Sequence, residues 1–225
     1  SWAVISGAGD NDKKYISIQS LENHLIDREN GIIKLLDPPF DKSDLEPGYI
    51  KAYIPGTREN GGQYTHGAIW AIIAEAMLGF GDKAGELYRM INPIEHSRTK
   101  EAASKYKVEP YVVCADISGQ RNLAGRGGWT WYTGSASWMY EAGIKYLLGL
   151  RIQKGILYIE PCIPKEWKEY SIKYQYGNSR YHIQVNNPNG KTTGVTDFKV
   201  NGQEIPEKQI TLNGNGGIYK IEIEM

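Results

Sequence analysis

The hydrophobic period of this chain changes once, near residue 155, from about 3.6 residues to 2. A chain with that change cannot be one all-helical or one all-strand domain; it reads as helices followed by strands. Before the change, "YISIQSLENHLI" (15–26) puts Ile18, Leu21 and Leu25 on one helical face. "GAIWAIIAEAMLGFGDKAGELYRMI" reads as two helices broken at "GFGD". The first, 69–78, is apolar nearly all round, and Asp82 is the expected cap of the second, 83–91. "SASWMYEAGIKYLLGL" predicts a helix over 135–150, ended at Gly149. After the change, "GILYIEPCI", "YSIKYQYGNSRYHIQVNNP", "TDFKVNGQEI" and "QITLNGNGGIYKIEIEM" alternate, split by Gly-Asn, Asn-Pro, Asn-Gly and Gly-Gly turns. The expected organisation is therefore a helical part over 1–155 and a small antiparallel β domain over 156–225, either a sheet or a sandwich.

Charge narrows the partners. Lys plus Arg equals Asp plus Glu at 26 each, and there is no basic block. Nothing in that balance draws the chain to nucleic acid or to a membrane surface. No apolar run reaches the roughly 18 residues that a span requires, and no secretory leader is read. Cys114 and Cys162 lie in apolar surroundings outside any CxxC pair. They read as buried free thiols of a reducing, cytoplasmic compartment, not as zinc ligands. The 16 Tyr and 6 Trp outnumber the 3 Phe. Rings with a polar handle suit carbohydrate surfaces, and they suit half-buried positions equally well. The opening "SWAVISGAGD" reads as the middle and exit of a helix, which predicts a fragment of something longer.

Three loops of the helical part carry more hydrogen-bonding groups than turns require: "YIPGTRENGGQYTHGAIW", "HSRTKEAASKYKVEPYVVCADISGQ" and "GRGGWTWYTGSASWMY". Each ends near a helix start, and in an all-α domain such loops gather at one end to form a pocket. Gly61, Gly62, Gly125, Gly127 and Gly128 are expected to let backbone approach a ligand. Thr133 and Gly134 stand where a helix begins, and a helix N-terminus offers free N–H groups to an anion. The plainer reading makes Thr133 or Ser135 a simple N-cap. His66 precedes an apolar helix; it is either a structural residue or an imidazole able to serve an anion near pH 7. Arg58 and Glu59 read singly as surface charges.

"ENGGQYTHGAIW", "NPIEHSRT", "EPYVVCADISG", "GRGGWTWYTGSASWMYEAG", "LLGLR" and "PCIPKEW" occur here in that order. In this the chain resembles glycoside hydrolase family 94, over roughly residues 1–190. That family holds cellobiose and chitobiose phosphorylases and the C-terminal part of cyclic β-1,2-glucan synthases. The forms "GRGGWTWYTGSASWMY" and "NPIEHSRT" are most similar to the cyclic glucan synthase and β-1,2-oligoglucan phosphorylase branch. The resemblance implies the C-terminal part of an (α/α)6 barrel followed by a β domain. It implies inverting phosphorolysis of a β-glucan oligosaccharide, with inorganic phosphate or α-glucose 1-phosphate as co-substrate and no cofactor or metal. It assigns phosphate to His66, Thr133 and Gly134, and the acceptor sugar to Tyr53, Arg58, Glu59 and Gln63. Arg58 stands where cellobiose phosphorylases carry Lys.

The implied chemistry suits these residues. An inverting glycosidase needs one carboxylic acid for the leaving oxygen and one carboxylate to activate water. When phosphate replaces water, the nucleophile brings its own charge, and a phosphate cradle replaces the second carboxylate. The family's general-acid Asp belongs to a motif expected N-terminal to Ser1, so Asp10, Glu109 and Asp116 are not promoted to that role. The rest of the barrel is then the expected partner, and the resemblance leaves a homodimer open. The alternative is an inactive carbohydrate-binding or structural module whose exposed helix faces need a cover.

Overall fold

A computed structural model describes residues 1–225. It opens with a short helix α1 (Trp2–Ile5) and the longer α2 (Asn11–His24), whose N-cap Asp10 accepts a hydrogen bond from the Lys13 N–H at 2.8 Å. Ile18 and Leu21 are buried on α2 as the periodicity predicts. Two short strands, β1 (Ile26–Asp27) and β2 (Ile32–Ile33), pair antiparallel. A 3₁₀ turn (Gly48–Ala52) and strand β3 (Gln63–Tyr64) lead into α3 (Thr65–Met77). Ala68, Ile69, Ala71, Ile72, Ile73 and Ala74 are all buried, so α3 is surrounded as its all-round apolar sequence requires.

The next helices are α4 (Gly81–Met90), α5 (Pro93–His96) and α6 (Lys100–Tyr106). Asn92 and Thr99 cap α5 and α6 through the N–H groups of Ile94 and Ala102. Asp82 does not cap α4. It lies inside the first turn, and its Oδ1 accepts from the Lys165 N–H at 2.9 Å. Strand β4 (Asp116–Ile117) pairs antiparallel with β3.

The helix expected over 135–150 is shorter and two-part. It begins as α7 (Thr133–Glu141) and widens into a π-helical turn, Ala142–Leu147. The Leu148 N–H reaches back to the Gly143 carbonyl at 2.9 Å. Leu150 already opens strand β5 (Leu150–Gln153). Gly149 makes the turn between them: its φ is +75°, and a Cβ there would lie 2.2 Å from the Glu160 carbonyl.

Strands β5 and β6 (Ile156–Ile159) form a hairpin whose turn residues, Lys154 and Gly155, both have positive φ. Then follow β7 (Glu169–Tyr176), β8 (Ser179–Asn186), β9 (Asp197–Val200), β10 (Gln203–Glu204), β11 (Gln209–Thr211) and β12 (Ile218–Glu224). The Asn201-Gly202 turn between β9 and β10 has both residues at positive φ, as its sequence predicts. One sheet runs β10-β9-β12-β8-β7 and the other β11-β6-β5. The tail is not purely antiparallel. β12 runs parallel to β8, with Ile218 opposite Arg180 and Glu224 opposite Asn186. A parallel neighbour needs a long connection, and the chain between β8 and β12 supplies it through β9, β10 and β11.

Both sheets contribute to one core. Tyr181, Ile183 and Val185 point inward from alternate positions of β8 and meet Phe198, Ile221 and Ile223 from the same sheet. Leu150, Leu157 and Ile159 come from the other sheet. The chain divides into two compact units, Ser1–Glu75 with Glu86–Ala142, and Ala76–Gly85 with Gly143–Met225. In the first, Ile32, Tyr106, Cys114 and Ile117 form a second buried cluster. Cys114 and Cys162 are both buried and outside any disulfide.

Candidate functional site

The three hydrogen-bond-rich loops converge in the first unit. The β3–β4 pair sets Gln63 against Ile117 and Tyr64 against Asp116, which joins the loop before α3 to the loop after α6. The third loop is stitched to the second: Gly128 N–H donates to the Asp116 carbonyl and Tyr132 N–H to that of Val113. Asn60, fully buried, locks the first loop on itself; its Nδ2 donates to the Tyr53 and Phe40 carbonyls and its Oδ1 accepts from Phe40 N–H.

Gly62 and Gly128 serve this closure. A Cβ on Gly62 would lie 2.9 Å from the backbone of Arg58, and one on Gly128 would lie 2.5 Å from the Asp116 carboxylate. Their positions let loops lie on protein, a packing role beside the expected close approach of backbone to a ligand.

Two groups of side chains result. In the first, the Arg58 guanidinium lies over two rings, 5.3 Å from the centroid of Trp129 and 5.7 Å from that of Tyr53. Its Nε is 3.9 Å from Asp116 Oδ1. The hydrogen bond with Tyr53 is the main force holding the Arg58 pKa up. Asp116 is only 6% exposed, and burial raises its pKa against the opposing pull of the Trp129 N–H and Arg58. Glu59 belongs to the same electrostatic neighbourhood, with its Oε2 buried and lacking a hydrogen-bond partner.

The second group surrounds His66. Its ring stacks on Tyr64 at 5.5 Å and meets Tyr132 edge-on at 5.3 Å. The two tyrosine hydroxyls are 3.0 Å apart, and that bond pushes Tyr64 up to about 12. His66 Nδ1 is buried without a partner, and burial lowers the pKa of the ring. A Cβ on Gly134 would lie 3.0 Å from His66 Nε2, so the first turn of α7 and the imidazole meet at one spot. Neither Thr133 nor Ser135 caps α7. The N-cap is Tyr132, without a side-chain cap bond, and Ser135 Oγ donates instead to the Tyr132 and Cys114 carbonyls.

Tyr53 and Arg58 are thus together, and so are His66 and Gly134 beside Thr133. Tyr64 and Asp116, register partners on β3 and β4, link the two groups. Gln63 stands apart: it is fully buried, and its Oε1 accepts from the Ile33 N–H at 3.0 Å. The sequence reading weighed Asp116 only as a general acid, which it declined, and did not single out Trp129. The signal was an acid inside the apolar run "YVVCADI".

A family model described as "Glycosyl hydrolase 94 superfamily, catalytic domain" matches residues 1–149, the stretch that carries every residue of both groups. The chain belongs to the glycosyl hydrolase 94 superfamily. A further model, "Glycosyl hydrolase family 65, C-terminal domain", matches residues 150–205 and so covers strands β5 to β10. Among relatives of this glycosyl hydrolase 94 chain, the cyclic beta-(1,2)-glucan synthase NdvB of Rhizobium meliloti is 45% identical over 185 residues, 82% of this chain and 6% of that protein. The solabiose phosphorylase of Paenibacillus borealis is 31% identical over 232 residues, all of this chain and 29% of that protein. The N,N'-diacetylchitobiose phosphorylase of Vibrio furnissii is 32% identical over 204 residues, 90% of this chain and 25% of that protein. The chain therefore spans less than a third of the length of each of these carbohydrate-active relatives. No helix of this family member is long and apolar enough to cross a membrane, and no group of three His, Cys, Asp or Glu is placed to hold a metal ion.

Proposed function

We propose that this chain forms the phosphate cradle and the acceptor wall of an inverting β-glucan phosphorylase, or of the phosphorylase-like region of a cyclic β-1,2-glucan synthase. The substrates are a β-glucan oligosaccharide with inorganic phosphate or, in the reverse direction, α-glucose 1-phosphate. The observation that carries the reading is the approach of His66 Nε2 to the uncapped start of α7 at Gly134. The first N–H groups of a helix and its positive dipole end attract an anion. A phosphate held there also offsets the burial that disfavours the His66 imidazolium, so binding draws a proton onto the ring. The held phosphate oxygen attacks the anomeric carbon, the bond to the leaving oxygen breaks, and that oxygen takes a proton from a carboxylic acid.

In this reading Tyr53, Arg58 and Glu59 face the acceptor sugar, and Gln63, buried and bonded to the Ile33 N–H, does not. Asp116 is not the general acid, because Arg58 and the Trp129 N–H engage its carboxylate. The acid and the helices that complete an (α/α)6 barrel come from the portion of a family-length protein outside these residues. The reading includes a cytoplasmic site of action, which two buried cysteines outside any disulfide support, and a homodimer of the complete enzyme.

Phosphate release from α-glucose 1-phosphate plus sophorose tests it. The 225-residue chain alone is expected to bind phosphate and to release none from the sugar; turnover by the chain alone would overturn this division of roles. In the complete enzyme, His66→Ala should weaken phosphate by about 1.5–3 kcal/mol, or roughly 10- to 150-fold in KM, and leave glucan KM little changed. Unchanged phosphate kinetics would remove His66 from the cradle.

A further inference from the structure

Trp131 is the one tryptophan in the chain with a positive φ, +58°. A bulky side chain in the left-handed region is an outlier that persists only where its surroundings hold it there. Burial does not explain it, because the ring is 64% exposed. Two contacts hold it instead. The indole Nε1–H donates to Glu109 Oε1 at 3.3 Å, and the ring of Tyr111 meets it edge-on at 6.0 Å. Tyr111 is itself 73% exposed. The backbone is thus held in an unfavourable conformation to present one ring, braced by another, to solvent.

We propose that Trp131 and Tyr111 form a preformed stacking platform for a pyranose ring of a glucan chain, outside the acceptor contacts of Tyr53, Arg58 and Glu59. The chemistry selects a sugar. A pyranose offers C–H groups on its face, which bury against aromatic rings, and hydroxyls around its rim. The Glu109 carboxylate at the platform's edge accepts from such hydroxyls. A wholly apolar protein segment laid over the same spot would strand that carboxylate away from water. The brace between the two rings removes rotamer freedom before binding, so little is lost when a sugar docks. Trp131 also stands two residues before Thr133, on the loop that leads into α7. The platform therefore sets how many sugar units the wall recognises. This rests on the carbohydrate reading above.

The experiment titrates the 225-residue chain with linear β-1,2-glucose oligosaccharides of increasing length and follows tryptophan fluorescence. The wild-type chain should bind the longer oligosaccharides about tenfold more tightly than the disaccharide, and Tyr111→Ala should abolish that gain. Trp131→Gly separates function from packing, because glycine accepts the backbone conformation without strain. It should lose the length-dependent gain while its melting temperature stays level or rises. No length dependence in the wild type would overturn the platform. So would its survival in folded Tyr111→Ala and Trp131→Gly chains, or a marked fall in melting temperature for Trp131→Gly, which would make the ring a packing residue. Phosphate binding, lost in His66→Ala, is read on the same samples. Its failure would strike the phosphate cradle and leave the platform standing.

Discussion

Tyr181 and His66 are both rings that carry a polar atom inward, and the molecule treats them differently. In the strand-rich unit Tyr181 is fully buried, and its hydroxyl both donates to the Asn213 carbonyl at 3.0 Å and accepts from the Asn213 N–H at 2.7 Å. In the first unit His66 Nδ1 is buried and finds nothing, as do Glu59 Oε2 and Trp70 Nε1. Unmade hydrogen bonds of this kind cost free energy in a finished interior. The strand-rich unit thus satisfies this ring hydroxyl within itself, whereas these polar atoms of the first unit lack such partners, as the proposed phosphate and sugar sites require.

Substitution in the strand core should show the largest effect. Phe198 is 1% exposed between the sheets, so Phe198→Ala should destabilise the chain by about 3–5 kcal/mol in chemical denaturation. A loss below about 1 kcal/mol would show that the strand unit is not the rigid partner in the comparison.

Acid should strike the loop-rich unit next. His96 stacks on Tyr106 at 4.8 Å, and burial, with Lys105 adding to it, pushes its pKa down to about 4. The unfolded chain then binds a proton that the folded chain refuses. Stability is whole above the ordinary histidine value near 6.5 and falls as pH drops toward 4, by about 3 kcal/mol from this residue. His96→Phe keeps the stack and should flatten that slope in melting curves recorded between those pH values.

At Gly134 the two aims of the molecule oppose each other. Gly134→Ala places a better helix former in α7, worth up to about 1 kcal/mol, and puts a methyl 3.0 Å from His66 Nε2. The variant should melt no lower than wild type and bind phosphate at least severalfold more weakly; equal phosphate binding would place the anion elsewhere. The smallest effect is expected at Tyr111. With most of its ring in solvent, Tyr111→Ala should change stability by no more than about 0.5 kcal/mol, in contrast to its effect on oligosaccharide length dependence.

These differences follow what was legible in the sequence. Alternation along "YHIQV" showed which side chains β8 would bury, because burial in a strand is written at period two. The all-round apolar α3 was equally plain. The parallel return of β12 was not, since direction depends on the route of the chain and not on its alternation. The break of the last helix at Ala142 was masked by residues that suit an α-helix and a π turn alike. In the wall, polar density marked loops that the structure brings together, and family motifs marked His66, Thr133 and Gly134. What each residue touches was hidden, because Arg58 meets Trp129 and Asp116 across distances that no local period encodes. The packing role of the glycines was hidden for the same reason: their neighbours are other loops.

The most direct test is an NMR titration of the His66 ring in this chain, with and without inorganic phosphate. Without phosphate its pKa should lie below the ordinary histidine value, as burial requires. Saturating phosphate should raise it, and Gly134→Ala should blunt the rise. A His66 pKa that phosphate leaves unmoved would contradict the account.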